Sequence, residues 1–566
     1  MFAKIGCLFL LTLNFLTLRS QSLEKKYLEN QTYEYQELKL AYKFLAQSSS
    51  SSNLRNIGPA DNGDSIQLFE INSIENETEH QAGIKILILN GIHSGESCGV
   101  DASLHWAEKI INHSELIGSA SIYIVPVYNI GGSLNRSCCT RANQNGPESQ
   151  GFRGNGNNLD LNRDFMKMDS KNARAFRAIM NQIDPDIIVD THSTNGADYQ
   201  YSMTLIPYQH EKWPDVLARE YVNWFEELFH SLNDSILAQY YVNVWNKTPE
   251  DGFSAFEVTS IFSGGYSGLY RTFNLTTEAH VFKSYPERVK STMATLDAIL
   301  AASNNNSDRI IKARKEALTE DYRLNEYAVS WELDSSHSFK LPFKGFEAEF
   351  FTSELTGQER YRYNRSRPIT FETNFYPTYK PAKSVQIPEY YLLKKGQWKV
   401  IENLTDAGVY MNEFKNDTTM SVWVDYVADI EHSTQPYEGH FPHLNFTIAQ
   451  KEVLQVFEKG DWIIPVRQPA IRFILEALEP QTPGSLFRWN YFDTYLQQKE
   501  WFSSYFFEEK ALDFLKENPE ISKEFNLKKQ TDETFKNNAF AQLYWIYKQT
   551  PYYEKEHMRI PVFRIF

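Results

Sequence analysis

Asn90-Gly91-Ile92-His93-Ser94-Gly95-Glu96 sets an imidazole and a carboxylate three residues apart on a glycine-bearing turn. Both groups are good zinc ligands, and a catalytic zinc takes three protein ligands and keeps a further position for water. His192, in Asp190-Thr191-His192-Ser193, offers the third. Farther on, Thr276-Thr277-Glu278-Ala279-His280 places a carboxylate within an otherwise apolar run. Burying a carboxylate is costly unless it is paired or has a task, and metal-assisted hydrolysis needs a base beside the water it activates. Glu278 is the candidate base; His280, two residues on and on the same strand face, reads as packing or support. Between His93 and His192 lies a long polar segment: Asn135-Arg136 to Arg141, then Arg153, then Asn158-Leu159-Asp160-Leu161-Asn162-Arg163-Asp164. Loops of such length are usually functional, and guanidinium groups can clamp a carboxylate or stabilise an oxyanion. Arg136 and Arg153 read as surface ion pairs.

These residues need a scaffold that aims them at one point. Apolar runs at Ile84 to Leu89, Ser121 to Tyr128, Asp186 to Asp190 and Phe273 to Val281 have the composition of buried strands. Helical periodicity covers Gln31 to Ala46, Ser97 to Ile111, Ser170 to Ile183 and Glu287 to Ala302. Alternation of the two predicts an α/β fold with a parallel or mixed sheet covered on both faces. Open α/β sheets bind their ligands at the carboxyl ends of strands, and His93, His192 and Glu278 all fall there.

The polar run Ser303 to Ser307 suggests the end of the catalytic domain, assigned to residues 21–306. Alternating segments such as Phe346 to Phe350 and Ser421 to Val427 predict a β-rich module over 307–450, and mixed patterns predict an α/β region over 451–566. Residues 1–20 carry one early lysine and a short apolar run from Ile5 to Leu18, the pattern of a secretory signal peptide. A secreted or periplasmic location is therefore expected, with no stable membrane insertion once the leader is cleaved. A formal net charge of -15 opposes the counterion-release attraction on which nucleic-acid binding depends, so nucleic acid is not an expected partner. Cys98, Cys138 and Cys139 remain after cleavage, too few for a disulfide scaffold. A bridge from Cys98 to one of the pair is one possibility; adjacent cysteines rarely close on each other, so at least one free thiol is expected.

Taken together, His93-x-x-Glu96, Asn162-Arg163, His192 and the downstream strand-borne Glu278 resemble the zinc carboxypeptidases typified by carboxypeptidase A, in the same order along the chain. The resemblance covers roughly residues 30 to 305. It implies a mixed eight-stranded sheet between helices, one zinc ion per chain, and hydrolysis of peptide substrates at or near the C-terminus. Carried over residue by residue, it makes His93, Glu96 and His192 metal ligands, Glu278 the general base and acid, and Asn162 with Arg163 the grip on a terminal carboxylate. Arg141 would polarise the scissile carbonyl, Asp160 would orient His93, and Tyr266 would cap the substrate. Asp160-Leu161-Asn162-Arg163 is also similar to related zinc deacylases of the desuccinylase-like branch, which use the same metal and base. A cell-wall peptide amidase, and a non-catalytic protein binding peptide or glycan in the same cleft, are the further readings.

Overall fold

The computed structural model describes residues 22–72, 83–245 and 247–566; the leader assigned to residues 1–20 lies outside them. Among the described residues no helix is long and apolar enough to cross a membrane. Two compact units divide the chain. The first comprises the residues up to Ile387 with Lys399–Tyr410 and Pro465–Leu486, and the second comprises Pro388–Trp398, Met411–Ile464 and Phe487–Phe566.

The first unit is built on strands β1 (Ser52–Pro59), β2 (Ser65–Asn72), β3 (Lys85–Asn90), β4 (Ser121–Val125), β5 (Ile187–Ser193), β6 (Met203–Pro207), β7 (Ala238–Tyr240), β8 (Phe253–Ser254) and β9 (Phe273–Ala279). All but β8 form one eight-stranded mixed sheet in the order β1-β2-β4-β3-β5-β9-β6-β7. The central strands β4, β3, β5 and β9 run parallel, with antiparallel pairings at β1/β2, β2/β4 and β6/β9. Every residue of β5 is buried, as an inner strand covered on both faces requires. Helices Tyr35–Ser48, Cys98–Asn112, Lys171–Ile183, Asp215–Ser235 and Tyr285–Asp321 accompany the sheet. Gly99 lets the Cys98–Asn112 helix close on β5, since a Cβ there would lie 2.0 Å from Thr191 Oγ1. Buried Asn90 ties three strands together: its Oδ1 accepts from the Ser103 and Thr191 hydroxyls and its Nδ2 donates to the Val125 carbonyl. Unpaired, each of those polar groups would cost roughly 1–3 kcal/mol.

The boundary expected at residue 306 falls inside a continuous helix, Tyr285–Asp321. Its polar stretch is held rather than solvated: Ser303 donates to the Ile299 carbonyl, Asn304 to the Ile117 carbonyl, and Asn306 to Glu227. Composition alone gave that run the look of a linker. Beyond it, β10 (Glu326–Leu333) pairs with β13 (Tyr379–Gln386), while β11 (Phe339–Thr352), β12 (Glu359–Tyr376) and β8 form a second small sheet. Leu341, Phe343 and Phe375 share a buried cluster with Tyr199, Val242 and Phe253, so these strands belong to the first unit.

The second unit contains the six strands β14 (Tyr390–Leu393), β15 (Asn412–Glu413), β16 (Thr418–His432), β17 (His443–Phe457), β18 (Trp462–Pro465) and β19 (Arg559–Ile565), in the order β15-β18-β14-β19-β16-β17. It also carries the helices Ser504–Glu517, Pro519–Thr531 and Ala539–Tyr547. Strand β19 lies inside the sheet, between β14 and β16.

Candidate metal centre and cleft

Three neighbouring parallel strands deliver the chemistry. β3 ends at Asn90 and turns through Gly91, whose φ of 64° places it in the left-handed region that glycine tolerates. The chain then folds so that the Glu96 N–H donates to the His93 carbonyl. His192 stands on β5 directly beside Glu278 on β9, and one step deeper Asp190 stands beside Thr276. Ligand atoms of His93, Glu96 and His192 lie within 4.8 Å of one another, and all three residues are buried.

The polar contacts around this trio decide which atoms face inward. His93 Nε2 is hydrogen-bonded to Asp160 Oδ1 at 3.0 Å, and His192 Nε2 lies 2.9 Å from Asp190 Oδ2, an ion-pair contact outside hydrogen-bond geometry. The two Nδ1 atoms therefore turn toward Glu96, at 3.3 Å from Oε1 and 3.0 Å from Oε2. A histidine held on its far nitrogen by a carboxylate is the usual arrangement at protein metal sites, because the partner fixes the tautomer and raises ligand basicity. Two such pairs converging on a buried carboxylate fit a zinc ion in ligand chemistry and in spacing.

Charge is concentrated here. Burial opposes ionisation of Glu96, yet Arg141 and His93 together hold its carboxyl well below the usual range. Burial likewise opposes protonation of His192, but Asp190 and Glu96 raise its pKa well above the ordinary imidazole value. Glu278 is pushed up to about 8, chiefly by burial and then by the nearby carboxylates Glu96 and Asp190, with His192 pulling the other way. Its Oε2 is buried without a hydrogen-bond partner. A cation held by the trio would favour the ionised form and draw Glu278 back toward the range of a working base.

A cleft of about 240 Å³ opens over these groups. Its lining includes Arg153, Asn162 and Arg163 together with Tyr241, Trp245, Phe256 and Phe262. Asn162 Oδ1 accepts from the Ser263 N–H, and the Arg163 guanidinium lies 4.6 Å over the Phe262 ring.

Two expected placements are corrected. Arg141 is not on the cleft wall: Nη1 donates to Glu96 Oε1 at 2.8 Å and Nε donates to Gln144, so it backs the metal-site carboxylate from behind. The guanidinium that reaches the cleft is Arg153, which also makes the partly exposed ion pair expected of it, with Asp160. Its Nε and Nη2 donate to Asp160 Oδ2, and its Nη1 lies 3.3 Å from His93 Nδ1. The cause lies in the loop. Ser137 and Gln150 pair to close residues 137–150 on themselves, and the chain beyond Gly151 returns over His93. Tyr266 is the second correction. It is 1% exposed, packed among Phe165, Phe176, Tyr270 and Phe473, and absent from the cleft lining, because the short helix Ser263–Gly268 turns it inward. The cleft tyrosine is Tyr241, whose hydroxyl is held far above its ordinary pKa by burial and then by Glu278.

Solved structures with a similar arrangement include a metallo-carboxypeptidase from Burkholderia cenocepacia, at 16% identity and a TM-score of 0.36 over 48% of this chain and 70% of that one. Others are carboxypeptidase A from Helicoverpa armigera, at 14% identity and 0.38 over 53% and 77%, and a metallo-carboxypeptidase from Pseudomonas aeruginosa, at 14% and 0.37 over 49% and 70%. No family model matches the chain, and no curated protein sequence does.

Several features of this unit are not among those singled out from the sequence. Asp190 as partner of His192 could have been found by the two-residue strand period, which puts both on one face. Tyr241 and Trp245 could not, because they sit in an irregular segment after β7. The Cys138–Cys139 disulfide also departs from expectation, and Cys98 is a buried free thiol. His280 is buried, with Nε2 3.0 Å from Asp198 Oδ1 and its ring stacked 4.0 Å from Tyr199, a packing role.

Proposed function

We propose that this chain is a zinc-dependent carboxypeptidase that hydrolyses an amide bond at or near the C-terminus of a peptide. The observation that carries the reading is the convergence of His93, Glu96 and His192 with Glu278 on the adjacent strand, under a cleft lined by Arg153, Asn162 and Arg163.

Zinc bound by His93, Glu96 and His192 would supply Lewis acidity toward a carbonyl and would acidify water. The rest of the work falls to the chain itself. Asp160 hydrogen-bonded to His93 Nε2, and Asp190 beside His192 Nε2, orient the two imidazoles so that Nδ1 of each turns toward Glu96. Glu278, buried and beside His192, takes a proton from the attacking water and returns it to the leaving amine. Arg153 donates to the oxyanion that develops as the carbonyl becomes tetrahedral. Asn162 and Arg163 engage the terminal carboxylate, a planar anion suited to a guanidinium fork. Phe256, Phe262 and Tyr241 exclude water from the reacting bond. Action outside the cytoplasm, as the leader pattern over residues 1–20 suggests, belongs to the same reading.

The test is release of C-terminal amino acids from a peptide library by wild type and by Glu278→Gln, each with measured zinc. Equal zinc with turnover only in wild type is expected. Turnover retained by Glu278→Gln overturns the assignment of the base, and wild-type zinc with cleavage of N-acyl amino acids alone moves the reading to the deacylase branch.

A further inference from the structure

Tyr241, Trp245, Phe256 and Phe262 stand in the cleft lining, and three of the four are engaged with their neighbours. The Tyr241 ring packs on Phe256 at 6.1 Å, Phe256 packs on Phe262 at 5.4 Å, and the Arg163 guanidinium covers Phe262. Trp245 differs. It is 58% exposed, and among the described residues no aromatic ring or cation packs on its indole. Its Nε1 donates to Asn243 Oδ1 at 3.3 Å, a contact that uses the edge of the ring and not its face.

The chain on either side anchors that position. Val242 and Val244 are buried in the cluster that contains Tyr199, Phe253 and Phe343, and Trp245 follows them out of it. Beyond the indole, the Tyr361 hydroxyl of β12 donates to the Lys247 carbonyl at 3.0 Å, the Thr373 hydroxyl donates to the Pro249 carbonyl, and Lys247 Nζ donates to the Gly252 carbonyl. An open tryptophan face on anchored backbone is the kind of group in which binding energy concentrates.

Contacts place Trp245 away from the carboxylate grip. Asn162 and Arg163 touch Ser263 and Phe262. The Trp245 segment instead runs against the turn that follows His192, where the Val244 carbonyl lies 3.1 Å from the position a Cβ on Gly196 would take; Asn195 of that turn lines the cleft. A peptide held by its carboxylate at Asn162 and Arg163 and cut beside His192 and Glu278 therefore sends its preceding residue toward Asn195 and Trp245. We infer that Trp245 sets specificity there: its indole stacks on the side chain of the residue just before the cut bond and favours an aromatic one. The inference rests on the carboxypeptidase reading above. Ring-on-ring contact is worth roughly 2- to 13-fold in affinity beyond the area it buries.

Two peptides that differ only before the terminal leucine, acetyl-Ala-Phe-Leu and acetyl-Ala-Ala-Leu, test this. For leucine release by zinc-loaded wild type, kcat/KM is expected to favour the first by about fivefold or more. Trp245→Ala should bring that ratio below about twofold, and Trp245→Phe, which keeps a ring, should retain part of it. Zinc content and the preference for terminal leucine over terminal alanine should stay as in wild type, which a general loosening of the cleft would not allow. Calorimetric binding of the same peptides to Glu278→Gln reads the ratio without turnover. A wild type that releases no leucine overturns the carboxypeptidase reading, and the binding ratio then still decides on Trp245; absence of both release and binding overturns both. Equal kinetics and equal binding for the two peptides, or a preference that persists in Trp245→Ala, overturns the inference.

Discussion

Asp190→Asn and Asp190→Ala probe the carboxylate that the sequence did not single out as a histidine partner. Asp190 is 2% exposed, so no bulk water can replace its carboxylate beside His192 Nε2. It also accepts a hydrogen bond from the Ser263 hydroxyl. Asparagine can still turn an oxygen toward Nε2, which preserves the tautomer but removes the charge. Alanine leaves the ring nitrogen and the Ser263 hydroxyl both without Asp190. Loss of such a partner typically weakens metal binding about 10- to 100-fold, or about 1.4–2.8 kcal/mol. Asparagine is expected near the low end and alanine near the high end. The assay is zinc competition against a chromophoric chelator, with circular dichroism to establish that each variant is folded. Folded variants that bind zinc within twofold of wild type would refute the reasoning that sets Nδ1 as the ligand atom of His192.

Four further outcomes are expected. Asp160→Asn should lower zinc affinity and, at saturating zinc, should also lower kcat, because Asp160 positions Arg153 as well as His93; peptide-release kinetics at several zinc concentrations separate the two effects. Arg153→Ala should reduce kcat about 100- to 1,000-fold with zinc unchanged, whereas Arg141→Ala, which removes one of several donors to the buried Glu96, should cost about 1–3 kcal/mol of stability in urea unfolding. Tyr266→Phe should leave turnover within twofold of wild type, and Tyr241→Phe should not, as steady-state kinetics would register. Asp101, pushed up to about 6 by burial against the opposing hydrogen bonds of Tyr285 and Thr32, binds its proton more tightly folded than unfolded. Its contribution to stability is therefore greatest below pH 4 and falls as pH rises through 6, by about 3 kcal/mol at most. Paired melts of wild type and Asp101→Asn at pH 4.5 and 7.5 should show wild type losing ground at the higher pH.

What could be read from the sequence follows from the range over which each signal acts. The strands that carry His192 and Glu278 were legible because inner parallel strands leave continuous apolar runs, and an acidic or imidazole group at the end of such a run stands out. The spacing of His93 and Glu96 was weak by itself and gained meaning from a second strand end carrying His192; the fold brings the three together. Arg153 and Arg141 exchanged places because a loop's path is set by contacts that no periodicity records: the Ser137/Gln150 pairing folds Arg141 inward, and only that fold lets Arg153 reach His93. Tyr266 was misplaced for a related reason. A short helix rotates side chains in steps of about 100°, so an error of one residue in its start exchanges cleft for core. The boundary at 306 failed because an asparagine-rich run looks like a linker until its partners Ile117 and Glu227, far away in sequence, are known.

Zinc content measured on the purified chain, together with C-terminal residue release from a mixed peptide library before and after chelation, tests the central claim most directly. The account predicts about one zinc per chain, release that stops on chelation, and release that returns when zinc is restored. A chain that takes up no zinc, or that releases C-terminal residues equally well after chelation, would contradict it.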